Sequence, residues 1–187
     1  MSVLIDIIGA AIIAGIIILS IFGLNVNLSM ANYNKLFTLT TQTNTVALAQ
    51  MMEYDMVKIG FHVPNPKSSA VLAAKPDSIV FKADLNDSST VNTVKYYLGS
   101  TSTLAFTKNP RDRMIYRVQD GVVTAMNLGV TSLSIAYYNV DGQVTARPDS
   151  VRSMLVKFTV ESPVPVDTSY STAFWEKKIY PKNLWIN

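Results

Sequence analysis

The chain has 187 residues, no cysteine, a single histidine, and 16 Lys and Arg against 13 Asp and Glu, for a net charge of +3. The missing cysteines exclude disulfides, thiolate metal sites and a cysteine nucleophile, and the mild, scattered charge does not call for a nucleic-acid partner. Once an apolar N-terminal stretch is set aside, enough chain remains for one domain with its own core.

That stretch, Val3 to Leu24, reads VLIDIIGAAIIAGIIILSIFGL, with Asp6 as its only charge. At about 1.5 Å per residue it predicts a helix of ~33 Å, enough to cross the ~30 Å hydrocarbon core of a bilayer. Such a helix satisfies its own backbone polar groups in lipid. A secretory signal would put basic residues before a shorter apolar run, whereas the first Lys or Arg here is Lys35. The pattern favours a membrane-embedded or filament-core helix over a cleaved signal. A carboxylate within such a helix costs on the order of 3 kcal/mol. Asp6 therefore either sits hydrated at the interface or pairs with a cation, and the nearest candidate is an α-amino group, its own chain's or a neighbour's. Gly9, Gly15 and Gly23 leave room for close helix contacts.

Leu28 to Ile59 contains neither Pro nor Gly and continues the helical reading. Phe37, Leu48, Met51, Met52 and Ile59 fall on one arc at helical spacing, with Thr41, Asn44 and Asp55 interrupting it. The threonine-rich run Thr38 to Thr45 is a poor helix former without packing support. Met51, Met52 and Met56 read as core against a sheet, or alternatively as a Met-lined partner groove. Gly60 stops the helix and Pro64-Asn65-Pro66 prevents its return.

Strands are expected at Ser78–Ala83, Thr93–Leu98, Thr103–Thr107, Arg113–Val118, Val122–Thr124, Leu133–Tyr138, Gln143–Thr145, Val151–Val160 and Ala173–Tyr180. Asp120-Gly121 and Asp141-Gly142 serve as hairpin turns. Strands with tight turns and no interleaved helices predict an antiparallel sheet, one face covered by the long helix: an α+β fold. The expected divisions are 1–27 (membrane or filament-core helix), 28–60 (amphipathic helix) and 61–187 (β-sheet domain).

Two sets of residues carry a resemblance. Ser2-Val3-Leu4-Ile5-Asp6 resembles the mature start of type IV pilins and type II secretion pseudopilins. With Ser2 as the first mature residue, Asp6 falls on the family's acidic position, which neutralises the N-terminus of the preceding subunit. The ordered set Val94-Lys95-Tyr96-Tyr97-Leu98-Gly99, Met114-Ile115-Tyr116-Arg117, Gly129-Val130-Thr131-Ser132-Leu133, Tyr137-Tyr138, Asp141-Gly142, Val151-Arg152 and Ile179-Tyr180-Pro181-Lys182-Asn183-Leu184 is similar to the J-type minor pseudopilins and related minor pilins. The resemblance implies a non-enzymatic structural subunit near the tip of a pseudopilus or pilus. It would be single-pass in the inner membrane, with a periplasmic or extracellular sheet domain. The implied partners are other pilin or pseudopilin subunits, an inner-membrane assembly platform and, given a leader, a prepilin peptidase.

Chemistry-bearing residues are sparse. His62 reads as structural. Asp84 and Asp87, with Asn86 between them, read as a solvated loop rather than a calcium loop, and no cofactor or metal is expected. Lys108, Arg111, Arg113 and Arg117 read as an exposed, salt-bridged sheet face rather than a DNA contact. The run Phe174 to Tyr180 is either an ordinary edge strand or a partner interface, with Trp175, Lys177, Lys178 and Tyr180 as its contact residues. The competing functional reading is a membrane-tethered binding module, adhesin-like or DNA-binding, whose helix is only an anchor.

Overall fold

A computed structural model describes residues 2–185 of the chain. One helix, α1, runs without interruption over Ser2–Val57, and a single short helix α2 follows at Pro66–Ser69. Seven strands come next: β1 (Val71–Lys75), β2 (Ser78–Ala83), β3 (Asn92–Leu98), β4 (Arg113–Gln119), β5 (Val122–Tyr138), β6 (Ser153–Glu161) and β7 (Thr172–Ile179). The chain forms two compact units, Met1–Phe37 and Thr38–Asn187.

In the second unit all seven strands form one antiparallel sheet in the order β1-β2-β3-β4-β5-β6-β7. The α+β expectation of a helix laid on an antiparallel sheet therefore holds. β2 and β6 alternate as half-buried strands should, with Ile79, Phe81 and Ala83 inward on one and Met154, Val156, Phe158 and Val160 on the other. Leu48, Met52, Met56 and Ile59 pack onto that inner face and are fully buried. Each such side chain is worth about 1.5–3 kcal/mol in transfer from water. The methionines Met52 and Met56 are thus core, and Met51 is half-buried beside them.

The threonine-rich segment is helical because packing supplies what propensity does not. Thr41 and Thr45 are buried, and Thr45 Oγ1 donates to the Thr41 carbonyl at 2.8 Å. After Val57 the chain turns through Gly60, whose φ of +84° suits glycine, and Gly60 N donates to Lys82 O at 2.9 Å. A Cβ there would meet Pro66 Cβ at 2.9 Å, so the same residue lets α2 close against the helix end.

Three strand expectations are corrected. Val122–Thr124 and Leu133–Tyr138 are the two ends of one 17-residue strand, β5. Its first half pairs with β4 and its second with β6, and only Val130 is shared. The bend between them centres on Gly129, at φ +75°, where a Cβ would lie 2.3 Å from the Glu161 carbonyl oxygen. Thr103–Thr107 is not a strand. A 3-10 turn spans Thr101–Leu104, capped by Ser100 Oγ, which accepts from Ser102 N at 3.2 Å. Serine and threonine side chains compete with the ladder for backbone partners, and here they win. Gln143–Thr145 contributes only an isolated bridge from Val144 to Tyr138. A strand without a sequence cue, β1, pairs with β2 across Pro76-Asp77. That turn reaches back to β5: Ile135 N donates to Pro76 O at 2.7 Å, and Tyr137 Oη donates to the carbonyls of Lys75 and Ser78. The sheet is curled as a result.

Candidate functional site

The first unit is an apolar rod. Among the described residues it contains the one helix segment long and apolar enough to cross a membrane, and the window concerned is not buried. Asp6 lies on this rod, exposed, and among the described residues no cation lies against it. Met1, whose α-amino group is one partner the sequence offers, lies outside the described residues. Gly9, Gly15 and Gly23 have no atom within 4 Å of where a Cβ would sit, so their surfaces are open for another helix.

In the second unit α1 has two working faces. The inner face meets the sheet. The outer face carries exposed Leu39, Val46, Tyr54 and Val57, and Leu39, Gln42, Thr43, Val46, Ala47 and Gln50 line a shallow groove of about 360 Å³. Leu39, Thr43, Val46, Gln50 and Val57 recur at three, four or seven residues, the spacing of a seam that meets another helix. The sequence carried this signal, but the threonines and glutamines within it masked the period.

Asp55 is the polar interruption of the inner face, and its environment shows why it is tolerated. It is 2% exposed. Tyr96 Oη on β3 and Arg117 Nε on β4 both donate to Asp55 Oδ2 at 2.6 Å. Arg117 Nη1 also donates to Gln119 Oε1 at 2.9 Å. Burial, reinforced by the Asp55 charge, pushes the Tyr96 hydroxyl far above its ordinary range, so it stays a proton donor. Asn44 meets its need in a similar way, donating to Leu128 O at 3.2 Å.

The basic cluster expected on one exposed face is dispersed. Arg117 turns inward to Asp55, because it shares the sheet face of buried Ile115. Arg111 points outward and pairs with Glu161 at 2.8 Å, while Lys108 is exposed. Arg113 is half-buried.

Asp84 is not solvated either. It is fully buried, and its carboxylate accepts from Ser88 N at 3.1 Å and Ser89 N at 2.7 Å, with His62 Nδ1 2.8 Å away. Burial works against its ionisation, but the His62, Ser88 and Ser89 hydrogen bonds outweigh burial and hold its carboxyl below the usual range. One ligand atom from each of His62, Asp84 and Asp87 falls within 4.8 Å of the others. Both Asp84 oxygens are engaged in holding the loop, so the cluster serves as a tether between the helix end and the β2–β3 loop.

On β7, Trp175 and Lys177 face inward. Trp175 stacks on Phe158 with ring centroids 5.1 Å apart, and Lys177 pairs with Glu53 of α1. Lys178 and Tyr180 are exposed on the other side, with Lys178 Nζ 4.4 Å from the Tyr138 ring centroid and 5.4 Å from that of Tyr180. The four expected contact residues are therefore not one surface. Phe174, from the same run, and Tyr138, which the sequence did not offer as a contact residue, lie on the outer side with Lys178 and Tyr180.

No protein-family model, curated protein or solved structure matches the chain. The arrangement itself, a long apolar N-terminal helix whose distal half packs on an antiparallel sheet, is compatible with a pilin-like fold.

Proposed function

We propose that the chain is a structural minor pilin or pseudopilin subunit, assembling through its N-terminal helix into a type IV pilus or type II secretion pseudopilus at or near the tip. The observation that supports this most is one unbroken helix with two uses. Its first part is an exposed apolar rod bearing a single carboxylate, Asp6, and its last part is locked to a sheet by Asp55. A plain membrane anchor has no need of Asp6, whose desolvation in lipid is unfavourable. It also has no need of an outer apolar seam on the part of the helix that covers the sheet. In this reading the helix sits in the inner membrane before assembly, with the sheet domain periplasmic or extracellular. Its partners are other pilin or pseudopilin subunits, an inner-membrane assembly platform and a prepilin peptidase. The chain carries out no catalysis.

The test is Asp6→Asn. Incorporation into filaments, or disulfide-free chemical cross-linking to partner subunits in the membrane, should fall while the sheet domain stays folded. Normal co-assembly of the variant would overturn the proposal. The second reading, a tethered adhesin-like or DNA-binding module, draws on exposed Phe174, Lys178 and Tyr180 with half-buried Tyr138 beside them. It predicts that a Lys178→Glu variant loses ligand binding while co-assembly is untouched.

A further inference from the structure

The loop joining β2 to β3 contains Asn86-Asp87-Ser88, the Asn-X-Ser pattern of an N-linked glycan acceptor. The same pattern occurs once more, at Asn27-Leu28-Ser29. The structure separates the two. Asn27 and Ser29 lie within α1, where residues two apart point roughly 200° away from each other around the axis, so the hydroxyl cannot serve the amide. Asn86, Asp87 and Ser88 are all exposed in a loop. There Ser88 Oγ donates to Asn86 Oδ1 at 2.9 Å. That turn brings the Ser88 hydroxyl onto the Asn86 carboxamide oxygen and fixes the side chain, and the contact leaves the amide nitrogen unengaged. The loop is held from below by buried Asp84 through the Ser88 and Ser89 amides, and Asp87 and Ser89 adopt φ of +58° and +62°. The tether fixes the base of the loop and leaves its crest to solvent.

We propose that Asn86 is the attachment site of an N-linked oligosaccharide. The donor is a sugar chain carried on a polyprenyl phosphate, and the catalyst is a membrane transferase of the host cell. Asn86 Nδ2 attacks the anomeric carbon and a C–N bond forms. The C–O bond to phosphate breaks with its electron pair leaving on the lipid phosphate, and the amide gives up one proton to the transferase. No oxidant or reductant is involved. The inference rests on the reading that the sheet domain lies outside the cytoplasmic membrane, where lipid-linked sugars are transferred.

The full-length protein, purified from the membranes of its native cells, is digested with trypsin, and the peptide Ala83–Lys95 is sequenced by electron-transfer mass spectrometry. The expected result is a hexose- or hexosamine-containing addition on Asn86. It should be lost in Asn86→Gln and Ser88→Ala, kept in Ser88→Thr and unaffected by Asn27→Gln. Ser88→Ala keeps the backbone amide that binds Asp84, so it should remain folded, as a thermal melt will check. In parallel, protease is added to intact spheroplasts. If the sheet domain is digested from outside and Asn86 is bare, the glycan inference fails alone. A sugar mapped to the Ser88, Ser89 or Thr90 hydroxyl also overturns it. If protease reaches the domain only after lysis, the assignment of the domain to the outside fails, and the glycan with it.

Discussion

Replacing Arg117 with Met would test whether the buried Asp55 group locks helix to sheet. Methionine keeps most of the stem that packs against the sheet and removes only the charged fork. Asp55 would then be left 2% exposed with Tyr96 Oη as its remaining donor. Removing one partner from a fully buried ion pair costs about 3–5 kcal/mol. The Arg117 side chain is 18% exposed and Tyr96 stays in place, so the lower end, ~3 kcal/mol, is the expectation. For a domain of this size that lowers Tm by about 6–12 °C. Tyr96→Phe removes one hydrogen bond to a charged group and should cost about 2 kcal/mol. The triple variant Asp55→Leu/Tyr96→Phe/Arg117→Met replaces the whole buried group by apolar side chains and should lie within about 1 kcal/mol of the parent. Urea denaturation of a fragment beginning at Ser29, followed by fluorescence, measures these three and the single variant Asp55→Leu. A loss below ~1 kcal/mol for Arg117→Met, or a triple variant as unstable as the sum of its singles, would refute the reasoning.

The Ser29 fragment itself should be soluble and monomeric, whereas one beginning at Phe61 loses Leu48, Met52, Met56 and Ile59 and should aggregate; size-exclusion chromatography of both decides it. Gly129→Ala should cost about 1–3 kcal/mol from backbone strain alone, with more from the contact at the Glu161 carbonyl, measured by the same denaturation. The Asp84 carboxyl is held below its ordinary value of 3.8, so its contribution is fully present above about pH 4 and is lost as pH falls through the folded-state value. Asp84→Asn should therefore be less stable than the parent at neutral pH and show a flatter acid limb, and a parallel pair of curves in thermal melts from pH 7 to 2 would count against the tether.

The apolar rod and most of the strands were legible in the sequence, because hydropathy and alternation report burial directly. The Asp120-Gly121 hairpin was legible for the same local reason, since Gly121 adopts φ +85° and Asp120 φ +50°. What escaped was long-range. In Arg113 to Val118 both faces carry apolar residues, so alternation alone could not say which face Arg117 joins. The missing clue was Asp55, a carboxylate on an apolar stripe that needed a cation from somewhere. His62 and Asp84 are likewise 22 residues apart and unremarkable until the helix end meets the β2–β3 loop. The continuation of β5 through Ala125–Ser132 was hidden by Asn127 and Gly129, which read as a break and act as a bend.

The sheet order has a kinetic consequence. Every neighbouring pair of strands is consecutive along the chain, so no strand waits for a distant one to be synthesised. On the ribosome β2 can pair with β1 as soon as it emerges, then β3 with β2, and so on to the first half of β5. The second half has only β6 and β7 left to join, across the hinge at Val130. The helix is made first, but its polar anchors lie 62 residues away at Arg117 and 124 away at Lys177, so its docking cannot be complete until β7 has been made. Loop closure on that scale is the slow event expected in a chain whose sheet pairings are otherwise local. During that interval the bare inner face of the sheet is the surface most open to misassembly or to a chaperone.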